Sequence, residues 1–295
     1  MLIQGPFQAV FPPVSAMHLK SGPWVRFRST AKWVAGKPWR HKLHDILGQD
    51  AHLARLVQAH PMMLRPLVRV YLDRRTPLWT RQSHFAADFS RVSAWLPPDS
   101  KAILAASGRV TIARFANGFS LSFGVNEIYP EEGIWALSVR DNEDRRVFHL
   151  TFGLLSNDRI VVGSVQGGRK ESMFDPQAAI RSFTKACHGL RPQAMLTEAL
   201  AEMRQVWGCR SVEFVSPRFQ ARSRWHRPPR NVQFDYDQYF SECGMTRLSD
   251  ALWGLPTQLP RKSLDEVESN KRSMYRKRFA LLDTLRMQCR SGLSH

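Results

Sequence analysis

The sequence predicts an α+β fold: a helical N-terminal lead, an antiparallel β meander, a βααβαβ core segment and a C-terminal helix. Three observations carry this expectation. Between 41 and 96 apolar residues recur at helical spacing, after 108 the period drops to two, and beyond 176 helical and extended stretches alternate. The 295 residues can bury a sizeable core, and 43% hydrophobic with 23% charged residues is ordinary globular composition, which excludes wholesale disorder.

The elements follow in order. Residues 1–40 form a basic, acid-free arm: no Asp or Glu precedes Asp45, whereas Lys20, Arg26, Arg28, Lys32, Lys37 and Arg40 interleave with Trp24, Phe27, Trp33 and Trp39. Cations with interfacial aromatics suit an anionic membrane surface. A transit-type sequence and an arm packed on the body are the alternatives, and prolines at 6, 12, 13, 23 and 38 oppose one long helix. Residues 41–295 read as a single domain, divided into a helical lead (41–107), a mixed sheet core (108–260) and a closing helix (261–290). One helical run is expected up to Pro61, and another from a Thr76-Pro77 start to Pro97-Pro98. RVTIARF, FSLSFGVNE, GIWALSVRD, RRVFHLTFGLL and RIVVGSVQG are strand runs separated by ANG, YPEEG, DNED and SND turns, hence a meander. Helices at 176–188 and 192–207, strand SVEFVS, helix FDYDQYFSECG and strand LWGLPTQ lead to KSLDEVESNKRSMYRKRFALLDTLRMQCR, read as a charged amphipathic helix.

A net charge of +18, from 43 Lys and Arg against 25 Asp and Glu, favours a polyanionic partner: an anionic membrane surface, nucleic acid or a phosphorylated cofactor. Cys187, Cys209, Cys243 and Cys289 are far apart, so neither a metal site nor a disulfide framework is indicated, and free thiols are expected. No apolar run is long enough to cross a bilayer, and the N-terminus lacks the layout of a secretory signal, so the chain is expected to be cytoplasmic.

The stretch VVGSVQGGRK sets a glycine turn at a strand end. Gln166, Gly167, Gly168, Arg169 and Lys170 offer amides and two cations to a phosphate; a tight strand exit is the competing reading. His188 stands between two helices as a candidate general base, or as a helix-end residue. Arg191 is a candidate phosphate clamp, or a partner for Glu198 or Glu202. Glu127, Glu131 and Glu132 flank the Tyr129-Pro130 turn, where a carboxylate can take a proton from an amine; Glu127 is the candidate base. Arg218, Arg222, Arg224, Trp225, Arg227 and Arg230 crowd one loop in a pattern suited to nucleic acid or an anionic headgroup. Asp235 and Asp237 read as helix caps.

HGLRPQAMLTEALAEMRQVWGCRSVEFVS, with its glycine and arginine at a helix start, then a glycine and a buried strand, resembles the core of the GNAT N-acetyltransferase fold. FDYDQYFSECGM and LWGLPTQ resemble the helix and strand that complete that fold. The resemblance implies an acyl-CoA cofactor held by Gln166–Gly168 and Arg191, with His188 or Glu127 as base. The usual alternation of glycines is absent, and a whole helix intervenes between QGG and LRPQ. A second resemblance covers about 45–290: HPMMLRPLVRVYL, RQSHFAADFSRVSAWLP, the QGG turn, TKACHGLRPQAMLTEAL, FDYDQYF and SNKRSMYRKRFALLD are similar to the VirK/YbjX family of bacterial proteins. That likeness implies a setting of stress response and virulence, including tolerance of cationic peptides and work at the inner membrane face, and no particular reaction.

Overall fold

A computed structural model of the chain describes residues 22–168, 174–223 and 234–293. It opens with helices α1 (Pro23–Ala35), α2 (Lys37–Gln49) and α3 (Ala51–Ala59). Pro23 and Pro38 stand in first turns, where a missing amide costs nothing, so these prolines start helices rather than prevent them. Helix α2 runs across the arm–body boundary expected at 40/41. The single run expected up to Pro61 is two helices, because the Asp50 carboxylate accepts the His52 and Leu53 amides at 3.1 Å and caps α3. A short 3₁₀ turn (Pro61–Leu67) leads to α4 (Leu78–Trp95). Beyond the stop expected at Pro97-Pro98 a further helix, α5 (Pro98–Ser107), forms and ends on Gly108 at φ 74°.

The meander forms as expected: β1 (Arg109–Arg114), β2 (Ser120–Val125), β3 (Trp135–Arg140), β4 (Arg146–Leu154) and β5 (Arg159–Gly167) pair antiparallel in sequence. Helices α6 (Pro176–Ala186) and α7 (Pro192–Val206) then cross over to β6 (Ser211–Val215), which lies parallel to β5. Helix α8 (Tyr236–Glu242) and strands β7 (Thr246–Arg247) and β8 (Leu252–Gly254) complete a sheet of order β1-β2-β3-β4-β5-β6-β8-β7. Asp235 caps α8, accepting from the Gln238 amide at 2.9 Å. The closing helix, α9 (Arg272–Leu293), begins later than expected. Ahead of it the Ser263 amide donates to the Glu266 carboxylate at 2.7 Å, a local bond that holds turn rather than helix.

The two faces of the meander differ in chemistry. Strand alternation puts Phe123, Trp135, Leu150 and Phe152 on one face, all buried. They meet Phe89 of α4 (6.0 Å to the Trp135 ring) and Trp207 after α7 (5.7 Å to the Phe123 ring). Each such side chain contributes about 1.5–3 kcal/mol by leaving water, so this face is the core. The buried Asp88 of α4 accepts from the Tyr71 hydroxyl and the Leu154 amide, tying the helical lead to the end of β4. On the other face Thr111, Ser122, Ser138, His149 and Gln166 stand in one register row across β1 to β5. The four cysteines are free and buried, and burial pushes each thiol up to about 12, so none is a ready nucleophile.

Candidate functional site

The polar row ends at a cavity. Strands β5 and β6 pair only over Arg159–Val162 and Ser211–Phe214, while β5 runs on to Gly167. Past that point the Tyr236 hydroxyl, from the first turn of α8, takes both main-chain groups of Val165: it accepts from the amide at 3.1 Å and donates to the carbonyl at 3.0 Å. Beside this parting lies a cavity of about 650 Å³ whose walls include Tyr129, Glu132, Phe148, Gln166, Phe234 and Tyr236.

Glu132 reaches the cavity because the turn between β2 and β3 is pressed onto the sheet. The Asn126 carboxamide donates to the carbonyls of Tyr129 (2.7 Å) and Gly133 (2.8 Å), which sets the turn. Gly133 sits at φ 125°, and a Cβ there would lie 2.5 Å from the Phe152 amide nitrogen. A Cβ on Gly163, the extra residue where the β4–β5 register shifts, would lie 2.0 Å from the Glu132 carbonyl oxygen. Only glycine at both positions lets turn and sheet touch. The Glu132 carboxylate then accepts from Ser164 Oγ and Gln166 Nε2, each at 2.9 Å. Burial pushes its carboxyl up to about 7, with the Ser164 bond, the Arg222 charge and the Gln166 bond pulling the other way. A carboxyl that titrates near neutrality at a cavity wall has the property a general base needs.

Two further cavities adjoin. One of about 380 Å³ shares Tyr129 and Arg222 with the first and is lined by Arg65, Arg69 and Glu131. There Arg65 pairs with Glu131 at 2.6 Å, and the Arg222 guanidinium stacks 3.3 Å from the Tyr129 ring centre. The other, of about 790 Å³, shares Phe148, Gln177 and Ile180 with the first and is lined by Lys185, His188 and Arg191 among others.

The sequence candidates distribute over this ground. Gln166, Gly167 and Gly168 line the first cavity, but the Gly168 amide donates to the Val147 carbonyl at 2.8 Å and Gly167 is paired with Phe148. A Cβ on Gly168 would lie 2.1 Å from the Arg146 carbonyl oxygen, so the sheet itself accounts for this glycine. His188 and Arg191 meet in the neighbouring cavity; His188 has φ 53° and its carbonyl accepts from Arg278, while Arg191 is exposed, 3.8 Å from Glu242. Glu127 lies outside these cavities, 3.9–4.0 Å from the guanidinium groups of Arg109, Arg140 and Arg146. Arg222 reaches the first cavity and Arg218 is exposed against Phe219. Arg169, Lys170, Arg224, Trp225, Arg227 and Arg230 lie outside the described residues. Of the three carboxylates that flank the Tyr129-Pro130 turn it is Glu132, not the candidate Glu127, that lines the first cavity, and Tyr236 is a wall residue the sequence does not point to; the signal for Glu132 is the glycine directly after the paired carboxylates of YPEEG. Among the described residues no group of His, Cys, Asp or Glu is arranged to hold a metal, and no helix is long and apolar enough to cross a membrane.

Residues 24–291 match the family model described as "Protein of unknown function (DUF535)". An uncharacterized protein of Haemophilus influenzae is 30% identical over 177 residues, covering 60% of this chain and 58% of that protein's length. The "Membrane protein LapB" of Mannheimia haemolytica is 27% identical over 208 residues, 65% of this chain and 88% of its own. The uncharacterized protein YbjX of Escherichia coli K12 is 24% identical over 259 residues, 85% of this chain and 76% of its own, in line with the resemblance read from the sequence. No solved structure matches.

Proposed function

The chain belongs to the DUF535 family of proteins of unknown function, and from that premise we propose that it is an acyltransferase whose general base is Glu132. The observation that carries the proposal is a buried carboxyl, titrating near 7, at the wall of a cavity that opens where two parallel strands part. Four antiparallel strands followed by a parting parallel pair and two returning strands is the sheet order expected of a GNAT-like core, which supports an acyl-CoA donor. The Glu132 carboxylate takes a proton from an amine or hydroxyl as that nucleophile attacks the thioester carbonyl. The new C–N or C–O bond forms, the C–S bond breaks, and the departing thiolate recovers the proton from Glu132. Tyr236 holds the Val165 edge with which an amide chain such as the pantetheine arm would pair, so the arm must displace its hydroxyl. His188 and Arg191 stand in the adjoining cavity, within the space a long cofactor would occupy.

Thermal unfolding with coenzyme A and acetyl-coenzyme A tests the donor. A ligand specific for the folded state adds about 2.7 kcal/mol at a hundredfold excess over its dissociation constant. Tyr236→Phe is expected to enlarge the shift by freeing the Val165 edge. No shift in wild type or in Tyr236→Phe, each melting cooperatively, overturns the donor; unchanged turnover in Glu132→Gln overturns the base.

A second observation favours attachment to an anionic membrane face. Trp24, Phe27 and Val34 of α1 are 67%, 64% and 65% exposed. At 100° per residue they fall within roughly 80° of one another, on one stripe of a helix without acidic residues in a chain of charge +18. A relative named as a membrane protein, and the stress and virulence setting implied by the VirK/YbjX likeness, agree with work beside a bacterial inner membrane. Co-sedimentation with phosphatidylglycerol vesicles, lost in Trp24→Glu/Phe27→Glu, supports this; binding to nucleic acid but not to vesicles overturns it.

A further inference from the structure

Thr151 of β4 and Ser164 of β5 are buried register partners, the last pair before the bulge at Gly163. Their hydroxyl oxygens stand 2.9 Å apart, and each also reaches Glu132. Ser164 Oγ lies 2.9 Å from Oε2 of the carboxylate, and Thr151 Oγ1 donates to the Glu132 carbonyl at 2.9 Å. The path leaves Glu132 through its side chain and returns to its main chain. Gln166 Nε2 braces it, 2.9 Å from Glu132 Oε2 and 3.0 Å from Ser164 Oγ. Five contacts therefore join these groups, and the hydrogens to fill them are limited. Gln166 supplies two, and each hydroxyl supplies one. With Glu132 ionised, Thr151 gives its hydrogen to the carbonyl and Ser164 gives its own to Oε2. The two hydroxyl oxygens then face each other with no hydrogen between them, a buried contact left unmade. A proton on Oε2 removes the deficit. It is donated to Ser164 Oγ, and Ser164 turns its hydrogen to Thr151 Oγ1. Every contact then has a hydrogen of its own.

We infer that Thr151 is a positioning residue which, acting through Ser164, holds the proton on Glu132. This role deepens the acyltransferase reading and depends on it only for the group that exchanges the proton. When Glu132 takes the nucleophile's proton, the two hydroxyls swing into the complete circuit, and no other proton enters or leaves. The circuit stabilises the neutral acid until the departing thiolate takes the proton back. Other titratable groups nearby stay neutral where Glu132 titrates. Burial lowers His149, the register partner of Gln166, to about 3, and pushes Tyr236 of α8 up to about 12. Arg222, from the loop after β6, and Glu131, in the same turn, act on Glu132 in opposite senses, and Thr151 bonds neither.

The side-chain carboxyl carbon-13 signal of Glu132 in labelled full-length protein, identified by its loss in Glu132→Gln, reads the proton directly. Thr151→Val keeps the side chain's shape and removes the acceptor for Ser164. An ionised Glu132 then leaves no contact unfilled, and the titration midpoint is expected to fall by about one pH unit. Thr151→Ser should restore the wild-type midpoint. In Ser164→Ala, adding Thr151→Val should move nothing, because the link from hydroxyl to carboxyl is already gone. That arm separates positioning from a purely structural role, since the Thr151 bond to the Glu132 carbonyl is lost in both backgrounds. Thr151→Ala makes the same deletion where Thr151→Val does not melt cooperatively. An unchanged or raised midpoint in a cooperatively melting variant without the hydroxyl overturns the inference. So does a midpoint that Thr151→Ser fails to restore, or the same fall in the Ser164→Ala background. Coenzyme A binding is scored on the same samples. Its absence with the fall intact would remove the reaction and keep the circuit; an unmoved midpoint with coenzyme A bound would do the reverse.

Discussion

Glu131 and Glu132 are consecutive and both buried, at 7% and 5% exposure, yet they face different surroundings. Glu131 turns into the arginine cavity and meets the Arg65 guanidinium at 2.6 Å. Glu132 turns into the cavity at the parting of β5 and β6, where its bonded partners are a hydroxyl and a carboxamide. Burial is common to both, and their bonded partners differ. Glu131 meets a guanidinium directly, whereas Glu132 is bonded to dipoles and the Arg222 charge acts on it as well. Neutral partners keep a carboxylate oriented without holding it ionised, and Glu132 is left titrating near 7.

The largest effect should come from breaking the charged side of the comparison. Arg65→Ala leaves Glu131 buried without its cation and is expected to cost about 3–5 kcal/mol, read by chemical denaturation at pH 7. Glu132→Gln, on the neutral side, should cost nothing at that pH or add stability. The second effect is the pH dependence of Glu132. Its folded pKa lies above the unfolded one, so the native state holds the proton more tightly. Stability is full below about pH 4.5, falls as pH rises to 7 and then levels, a loss on the order of 3 kcal/mol that Glu132→Gln should abolish. His149, in the same polar row, supplies the opposite slope: burial first, then the Arg146 and Arg140 charges, lower its pKa to about 3. Its contribution is present above pH 6.5 and is lost progressively toward pH 3, a limb that His149→Gln should remove. Smaller still, Ser164→Ala deletes a bond to the Glu132 carboxylate and should cost about 1.5 kcal/mol at pH 8 while moving the neutral limb upward. Least of all, Arg222→Gln removes an exposed cation and should raise that limb slightly, by a shift that fades in high salt.

The same distinction between local and distant causes governs what the sequence made legible. The meander could be read because each strand run carries its own alternation and each turn its own Asn, Gly, Pro or Asp. Helices α4, α6, α7 and α8 likewise announce themselves by proline or Asp starts. The break at Asp50 and the late start of α9 are not legible in the pattern, because a side chain taking an amide competes with periodicity on equal terms. Among the carboxylates around Tyr129 the sequence points to Glu127, whereas the folded chain puts Glu132 at the cavity wall. Glu132 owes its burial to contacts between Gly163 and its own carbonyl, and between Gly133 and Phe152, positions about 20–30 residues apart that meet only in the folded sheet. His188 and Arg191, close in the chain, line one cavity, beside the one that Gln166, Gly167 and Gly168 line.

The parallel pairing of β5 with β6 also has a kinetic side. Ile160 finds Val212 only after the whole α6–α7 crossover has been laid down, whereas each strand of the meander finds its partner across a short turn. Closing the long loop costs more entropy before any contact rewards it, so the meander should zip first and the crossover dock late. The wall around Glu132 takes residues from both parts. It is therefore assembled near the end of folding, and a ligand bound there should slow unfolding while leaving the folding rate almost untouched.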